Sequence, residues 1–315
     1  MKEKFLDLKE MFLNLKESFL DLKESFLDLK ESFLDFKEKF LDFKESFLDL
    51  KEMFLDIKGK DLEEEMEKKL TGTQLKLIAI VSMTTDHLVS VIYPNYPTAW
   101  YLVFLHILGR LAAPIFWYMT AEGYYHTKNV KKYLFRLALF SLLGHFAYNF
   151  AFGIPFIPFK TSVFNQTSVI LPLFLGILGL CVLDSQKIKQ WQKTLLIFLL
   201  SLLAFPADWS SPAFLCVVYI GRNRGNFKKQ MICMLLWILL YATIYALFIN
   251  PLYGAIQMGV LLVIPLLRAY NGERGQAFFG IGSKYFFYWY YPLHLVLCGI
   301  IRIALHGNIG VMIGG

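Results

Sequence analysis

From residue 74 to residue 304 the sequence is a succession of apolar runs, each 12 to 22 residues long, separated by short polar stretches. A run of about 20 apolar residues at ~1.5 Å per residue matches the ~30 Å hydrocarbon core of a bilayer. The runs are 74–93, 100–121, 133–153, 166–183, 192–206, 210–221, 230–249, 251–267 and 285–304. The fold class they predict is all-α, a polytopic membrane helix bundle of about nine spans. The fifth, sixth and eighth runs are short for a full crossing, and Pro206 leaves a broken or re-entrant pair open between the fifth and sixth.

Charge placement orients this bundle. Residues 1–69 hold 14 Lys and 20 Asp or Glu, whereas residues 70–315 hold 18 Lys or Arg and only five acids, Asp86, Glu122, Asp184, Asp208 and Glu273. The formal net charge of +7 is thus a negative front and a strongly positive remainder. These cations sit between apolar runs and not on one globular face, which argues against a nucleic-acid partner. With nine spans, 14 loop and flank cations from Lys128 to Lys284 fall on one side, and only Lys160 and Arg302 on the other. The positive-inside rule makes the first side cytoplasmic. The expected location is a cell membrane, multi-pass, with the N-terminus cytoplasmic and the C-terminus external. No cleavable signal peptide is expected, because the N-terminus alternates charge with Phe and Leu.

Two domains follow, 1–69 and 70–315. From Phe5 to Lys60 a seven-residue unit of the form FLDLKES repeats eight times. Phe5, Phe12 and Phe19 through Phe54 alternate at three and four residues with Leu8, Leu15 and Leu22 through Ile57, the seam of a coiled coil. With no Pro, and no Gly before Gly59, the segment is predicted to be one long amphipathic helix. Each unit carries two acids for one Lys, so attraction to anionic lipid is weak and a homo-oligomer through residues 5–60 is the favoured use. Thr71 and Thr73 then offer caps to the first membrane helix.

Ionisable groups inside a bilayer are expensive, so the few within the runs are functional candidates. Asp86 and His87 stand together in MTTDHLVS, Arg110 in GRLAAPIF, and His294 in YYPLHL. An imidazole suits general acid or base work, a carboxylate can orient it or balance Arg110, and a guanidinium at that depth requires an anion. Those four are the candidate catalytic residues. Gly109, Ala112 and Ala113 allow close approach of helices there, and Pro114 loosens a turn. His106 and His145 read as core histidines with local partners. Glu122 and His126 lie at the cytoplasmic end of the second run, followed by Lys131, Lys132 and Arg136, which together form a candidate cofactor-binding group able to hold phosphates. Cys181, Cys216, Cys233 and Cys298 lack CxxC or zinc spacing, and no metal site is expected. The run GIGSK lacks the spacing of a phosphate loop.

The stretches LTGTQLKLIAIVSMTTDHL, GRLAAPIFWYMTAEGYYHTKNVKKYLFRL and YYPLHL, in this order and spacing, resemble the TraX family of bacterial membrane proteins over residues 70 to 304. The resemblance implies an acyltransferase-like multispan fold that uses acetyl-CoA as acyl donor and the pilin N-terminus as acceptor during conjugation. It places Asp86, His87, Arg110, Glu122, His126 and His294 at motif positions. Ala113 departs from a common Phe, and Asn149 stands where relatives often carry an acid, which leaves the acceptor open between a pilin and a surface polymer. A proton-coupled transporter would line a pathway with Asp86, Arg110 and His294, and a non-enzymatic membrane scaffold would organise itself through the heptads.

The heptads supply a first prediction. Residues 1–69 alone are expected to be helical and to sediment as an oligomer, and Ser at Phe19, Phe26 and Phe33 is expected to dissolve it. A wild-type segment that sediments as a monomer at roughly tens of micromolar would remove the seam as an oligomerisation device.

Overall fold

The computed structural model describes residues 69–160, 162–276 and 284–311, within a compact unit spanning Glu67–Gly315. The heptad segment lies outside the described residues. The described chain is helical, with two isolated parallel bridges, Leu70 with Tyr270 and Thr167 with Ala207, and no strand among the described residues. The helices are α1 (Gly72–Ile92), α2 (Trp100–Gly109), α3 (Ala112–His126), α4 (Val130–Phe152), α5 (Ile170–Asp184), α6 (Gln190–Ala204), α7 (Ser210–Arg222), α8 (Phe227–Phe248), α9 (Pro251–Ile256), α10 (Val263–Arg268) and α11 (Lys284–His306).

Helices therefore stand where the apolar runs stand, but among the described residues six stretches have the length and composition to cross a membrane. These are Gly72–Ile92, Trp100–His126, Val130–Phe152, Phe227–Phe248, Pro251–Arg268 and Tyr285–His306. The chain is a multi-pass membrane protein. Ile170–Asp184 and Gln190–Ala204 are apolar but shorter, and α7 has 13 residues. Two runs read as single helices are interrupted. Arg110 and Leu111 separate α2 from α3, with Pro114 inside the first turn of α3, where it has no intrahelical N–H to lose. A 3-10 turn, Gln257–Leu262, separates α9 from α10.

The helix starts obey local chemistry. Thr71 caps α1 in a reciprocal box, Gln74 N donating to Thr71 Oγ1 at 3.3 Å and Thr71 N to Gln74 Oε1 at 2.8 Å. The orphan N–H groups of Gly72 and Thr73 donate to the carbonyls of Glu273 and Arg274, both at 2.8 Å, which ties the start of α1 to the segment after α10. Asn129, Asn226 and Asn250 cap α4, α8 and α9 through their side-chain oxygens. Gly153 ends α4 at φ 68°, a left-handed cap that a Cβ would push into Gly310 and Arg302.

Where α5, α6 and α7 stop short, the irregular backbone finds partners within the protein. Gln166 N donates to Pro206 O at 2.7 Å and Asp208 N to Thr167 O at 2.8 Å. Non-helical backbone at membrane depth is tolerated only with such satisfaction. Trp209 and Ser210 are held at φ 60° and 50°, a conformation that costs a non-Gly residue about 1–3 kcal/mol and so needs a reason.

Arg302 answers the other end of α4. It is 1% exposed and donates through Nε to Ala151 O at 3.0 Å, Nη2 to Phe150 O at 3.1 Å and Nη1 to Ile309 O at 2.6 Å. A fixed cation on the last carbonyls of a helix satisfies them and opposes the negative end of its dipole. Replacing it with Met should lower stability by on the order of 3 kcal/mol, since each group left unpaired costs about 1–3 kcal/mol, and Lys should recover only part because it lacks the planar fork. Unchanged melting of Arg302→Met in detergent would show that these bonds do not hold the end of α4 together.

Candidate functional site

Asp86 lies on α1 fourteen residues from Gly72, roughly 21 Å along the helix axis, and is 7% exposed. Its Oδ1 accepts from Arg110 Nη2 at 2.5 Å and from His106 Nδ1 at 2.8 Å. The bare Cα of Gly109 makes this approach possible, for a Cβ there would meet the Asp86 Cβ and carboxylate at 2.5 to 2.7 Å. Arg110, 1% exposed, also donates through Nη1 to Gln257 Oε1 at 3.2 Å and through Nε to His106 O at 3.2 Å, with Trp209 under its guanidinium at 5.4 Å. Gln257 closes its own account by donating to Tyr253 O at 3.1 Å. The break after Gly109 and the 3-10 turn at Gln257 are thus both places where the chain bends around one ion pair.

His87 faces a different neighbour, as a residue about 100° from Asp86 around the helix must. Its Nδ1 is 2.9 Å from His294 Nε2, and His294 Nδ1 is 3.0 Å from Tyr290 O. A carbonyl accepts only, so His294 carries its proton on Nδ1 and offers a lone pair at Nε2. His87 must then donate from Nδ1, which leaves its own Nε2 as the lone-pair nitrogen, without a hydrogen bond among the described residues. The two rings stack at 5.2 Å with Tyr290 beyond at 5.4 Å, so α11 fixes both position and tautomer of His87.

A cavity of about 30 Å³ is lined by Asp86, His87, Arg110, Asp208 and Trp209 among others. Asp208 Oδ1 is buried there without a hydrogen-bond partner. The strained Trp209 and Ser210 pair directly follows it, so the left-handed backbone sets a carboxylate into the chamber and an indole beneath Arg110. Asp208 and Gln257 did not stand out in the sequence. The signal for Asp208 was its rarity, one of five acids in residues 70–315, and it was obscured by its place in the short link just after Pro206, between two short runs.

A second cavity, about 400 Å³, shares Met83, Phe116 and Val169 with the first. Its wall includes Lys76, Arg136, Arg274 and His126, the aromatic rings of Tyr133, Tyr270, Phe287, Tyr288 and Tyr291, and no carboxylate among the described residues. Arg136 Nε is buried without a hydrogen-bond partner, its guanidinium between the rings of Tyr133 and Tyr288 at 5.7 and 6.0 Å. Lys76 stands over Phe287 at 5.5 Å. Burial raises the Tyr270 phenol above its ordinary pKa, so it remains a neutral donor.

The structure thus brings Asp86, His87, Arg110 and His294 together and sets His126 and Arg136 in the neighbouring cavity. Lys131 and Lys132 are exposed and line neither cavity. Glu122 is buried and engaged, accepting from Arg224 Nε at 3.2 Å and Nη2 at 3.3 Å, with His126 Nε2 at 3.2 Å. Those bonds push the Arg224 guanidinium pKa up. His106 is the second donor to Asp86, while His145 sits apart, its Nε2 donating to Phe156 O at 2.8 Å.

The family model described as TraX protein matches residues 71–302. A probable fimbrial assembly protein, FimC of serogroup H1, from Dichelobacter nodosus is 31% identical over 231 residues, covering 71% of this chain and 92% of that protein. No solved structure matches.

Removing one partner of a buried ion pair strands the other charge. Asp86→Ala should cost about 3–5 kcal/mol, and the double change Asp86→Ala with Arg110→Met should be less harmful than the single one. Equal melting temperatures for single and double variants would show that the two charges are not coupled.

Proposed function

The chain belongs to the TraX family, and on that premise we propose that it is a membrane-embedded acyltransferase moving an acetyl group from cytoplasmic acetyl-CoA to an amine or hydroxyl of an exported substrate. The observation that carries this reading is the junction of two unlike cavities. One is large and rimmed by Lys76, Arg136 and Arg274 without a carboxylate among the described residues, chemistry suited to a donor bearing several phosphates and an aromatic base. The other is small and holds a histidine with an available lone pair beside a fixed cation. A fimbrial relative makes a pilin-type N-terminus the first acceptor to try.

In this mechanism the acceptor nitrogen or oxygen attacks the thioester carbonyl while His87 Nε2 takes its proton. The new bond to carbon forms, negative charge gathers on the carbonyl oxygen, and Arg110, held in place by Asp86 and Gln257, opposes it. The C–S bond then breaks, and the proton on His87 leaves with the thiolate. His294 acts through His87, presenting the correct nitrogen by its bond to Tyr290 O. Glu122, His126 and Arg136 sit at the donor side, and the exposed Lys131 and Lys132 attract the donor's phosphates electrostatically.

We also propose nine traverses, with the basic end cytoplasmic, the N-terminus inside and the C-terminus outside. Contacts between alternating ends support the count. Leu70 meets Ala269, Glu122 meets Arg224 and Tyr124 meets Asp184 at one end; Val91 meets His306, Phe152 meets Val311 and Thr167 meets Asp208 at the other. Paired backbone around Pro206 would satisfy the peptide groups between the short helices α6 and α7 where they fall within the bilayer.

The test is turnover and folding measured on one detergent preparation, as thiol release from acetyl-CoA with a pilin-type peptide bearing a free N-terminal amine. His87→Ala should lower transfer by roughly a hundredfold or more while melting and free-CoA binding stay near wild type. Full turnover from folded His87→Ala would sink the general-base role. Activity that falls only in step with folded protein would mark a structural histidine.

A further inference from the structure

We propose that Met83, Phe116 and Val169 form a constriction that sets the length of acyl group this protein accepts. The proposal rests on the acyltransferase reading and names three residues to which the sequence drew no attention.

Its basis is that these three side chains line both cavities and so stand between them. They come from three separate elements: Met83 from α1, Phe116 from α3, and Val169 from the residue that precedes α5. Met83 lies one turn from His87 on the same face of α1, so the neck opens directly below the candidate base. Val169 and Met83 are 7% and 5% exposed, and all three are apolar, so a thioester passing them meets no competing hydrogen-bond partner.

The chamber beyond them decides what passes. About 30 Å³ has room for about two water-sized groups, on the order of an acetyl carbon pair, whereas the donor cavity of about 400 Å³ is more than ten times larger. Asp86 and Arg110 are held by their mutual bond, and Asp208 by its backbone bond to Thr167 O and the left-handed residues that follow it, so the polar side of the chamber is braced. Each methylene beyond the acetyl group would have to displace Met83 or Phe116. Exclusion of a methylene by packing discriminates roughly tenfold to a hundredfold, which is the selectivity expected here. Met83, unbranched and flexible, is the member of the three able to swing aside for the thioester arm.

The experiment compares thiol release from acetyl-CoA and butyryl-CoA by the full-length chain and by Met83→Ala, Phe116→Ala and Val169→Ala, each checked for melting and for binding of free CoA. Wild type should prefer acetyl-CoA, and at least one widened variant should raise the butyryl-to-acetyl ratio about tenfold with free-CoA binding unchanged. Val169→Phe, which narrows the neck, should lose acetyl transfer yet still bind free CoA, and it keeps the test decisive where an alanine variant fails to fold. Active variants with an unaltered ratio would overturn the constriction and leave acyl transfer standing. A folded wild type that releases thiol from neither donor would overturn both.

Discussion

Asp86 Oδ1 is the atom on which this bundle turns. It takes hydrogen bonds from a guanidinium and an imidazole at a depth where neither a carboxylate nor an arginine survives alone. Three departures from regular helix follow from that need. The second apolar run breaks after Gly109 so that Arg110 can turn toward α1, Gly109 forgoes a side chain to let it, and the eighth run tightens into a 3-10 turn where Gln257 takes up a remaining guanidinium proton. Trp209 closes the group from a fourth side, at the expense of a left-handed backbone. The left-handed backbone at Trp209 and Ser210 is thus set against the same ion pair around which the two helix interruptions are arranged.

The same accounting explains what surrounds the site. A bilayer offers no water to an unpaired peptide group, so each irregular stretch must find a partner in the protein. The links before α5 and before α7 pair with one another, Arg302 takes the terminal carbonyls of α4, and the His306 Nε2 donates to Val91 O at 3.0 Å at the end of α1. Because Asp208 lies in one of these mutually satisfied links, it can project a carboxylate into a chamber without exposing backbone to lipid.

Much of this was legible in the sequence because its causes are local. Apolar length marked the helices, Thr71 marked the start of α1, and the cost of a buried charge marked Asp86, Arg110, His87 and His294. What the sequence could not carry was pairing across the bundle. His106 looked like a core histidine because nothing near it in sequence says that its Nδ1 meets a carboxylate twenty residues away. Asp208 and Gln257 were hidden for the same reason. Lys76 and Arg274, far apart in sequence, share a cavity wall because the start of α1 is hydrogen-bonded to the segment after α10. The two interruptions were also tertiary in origin: Pro114 hinted at the first, while the 3-10 turn at Gln257 has no proline or glycine pair to announce it. Span length divides the runs further, for among the described residues six stretches meet the requirement of a crossing helix and the three between Ile170 and Arg222 fall short of it.

The arrangement also bears on why a base would stand beyond an apolar neck and not at the mouth of the larger cavity. A thioester and a base in open contact with water would favour hydrolysis, in which the acyl group is lost to solvent. In the proposed transfer, excluding water from the reacting carbonyl would protect the acyl group from hydrolysis and strengthen the field of Arg110 on the developing oxyanion, since that field grows as the local dielectric falls. The price is that the site must be polar inside and dry around, which only a preformed network can sustain. Asp86, His106 and Gln257 supply that network for Arg110, and His294 with Tyr290 supplies it for His87. In the proposed transfer the apolar side chains of Met83, Phe116 and Val169, which line both cavities, would serve two ends by one geometry: keeping bulk water on the donor side and admitting only what is small enough to pass.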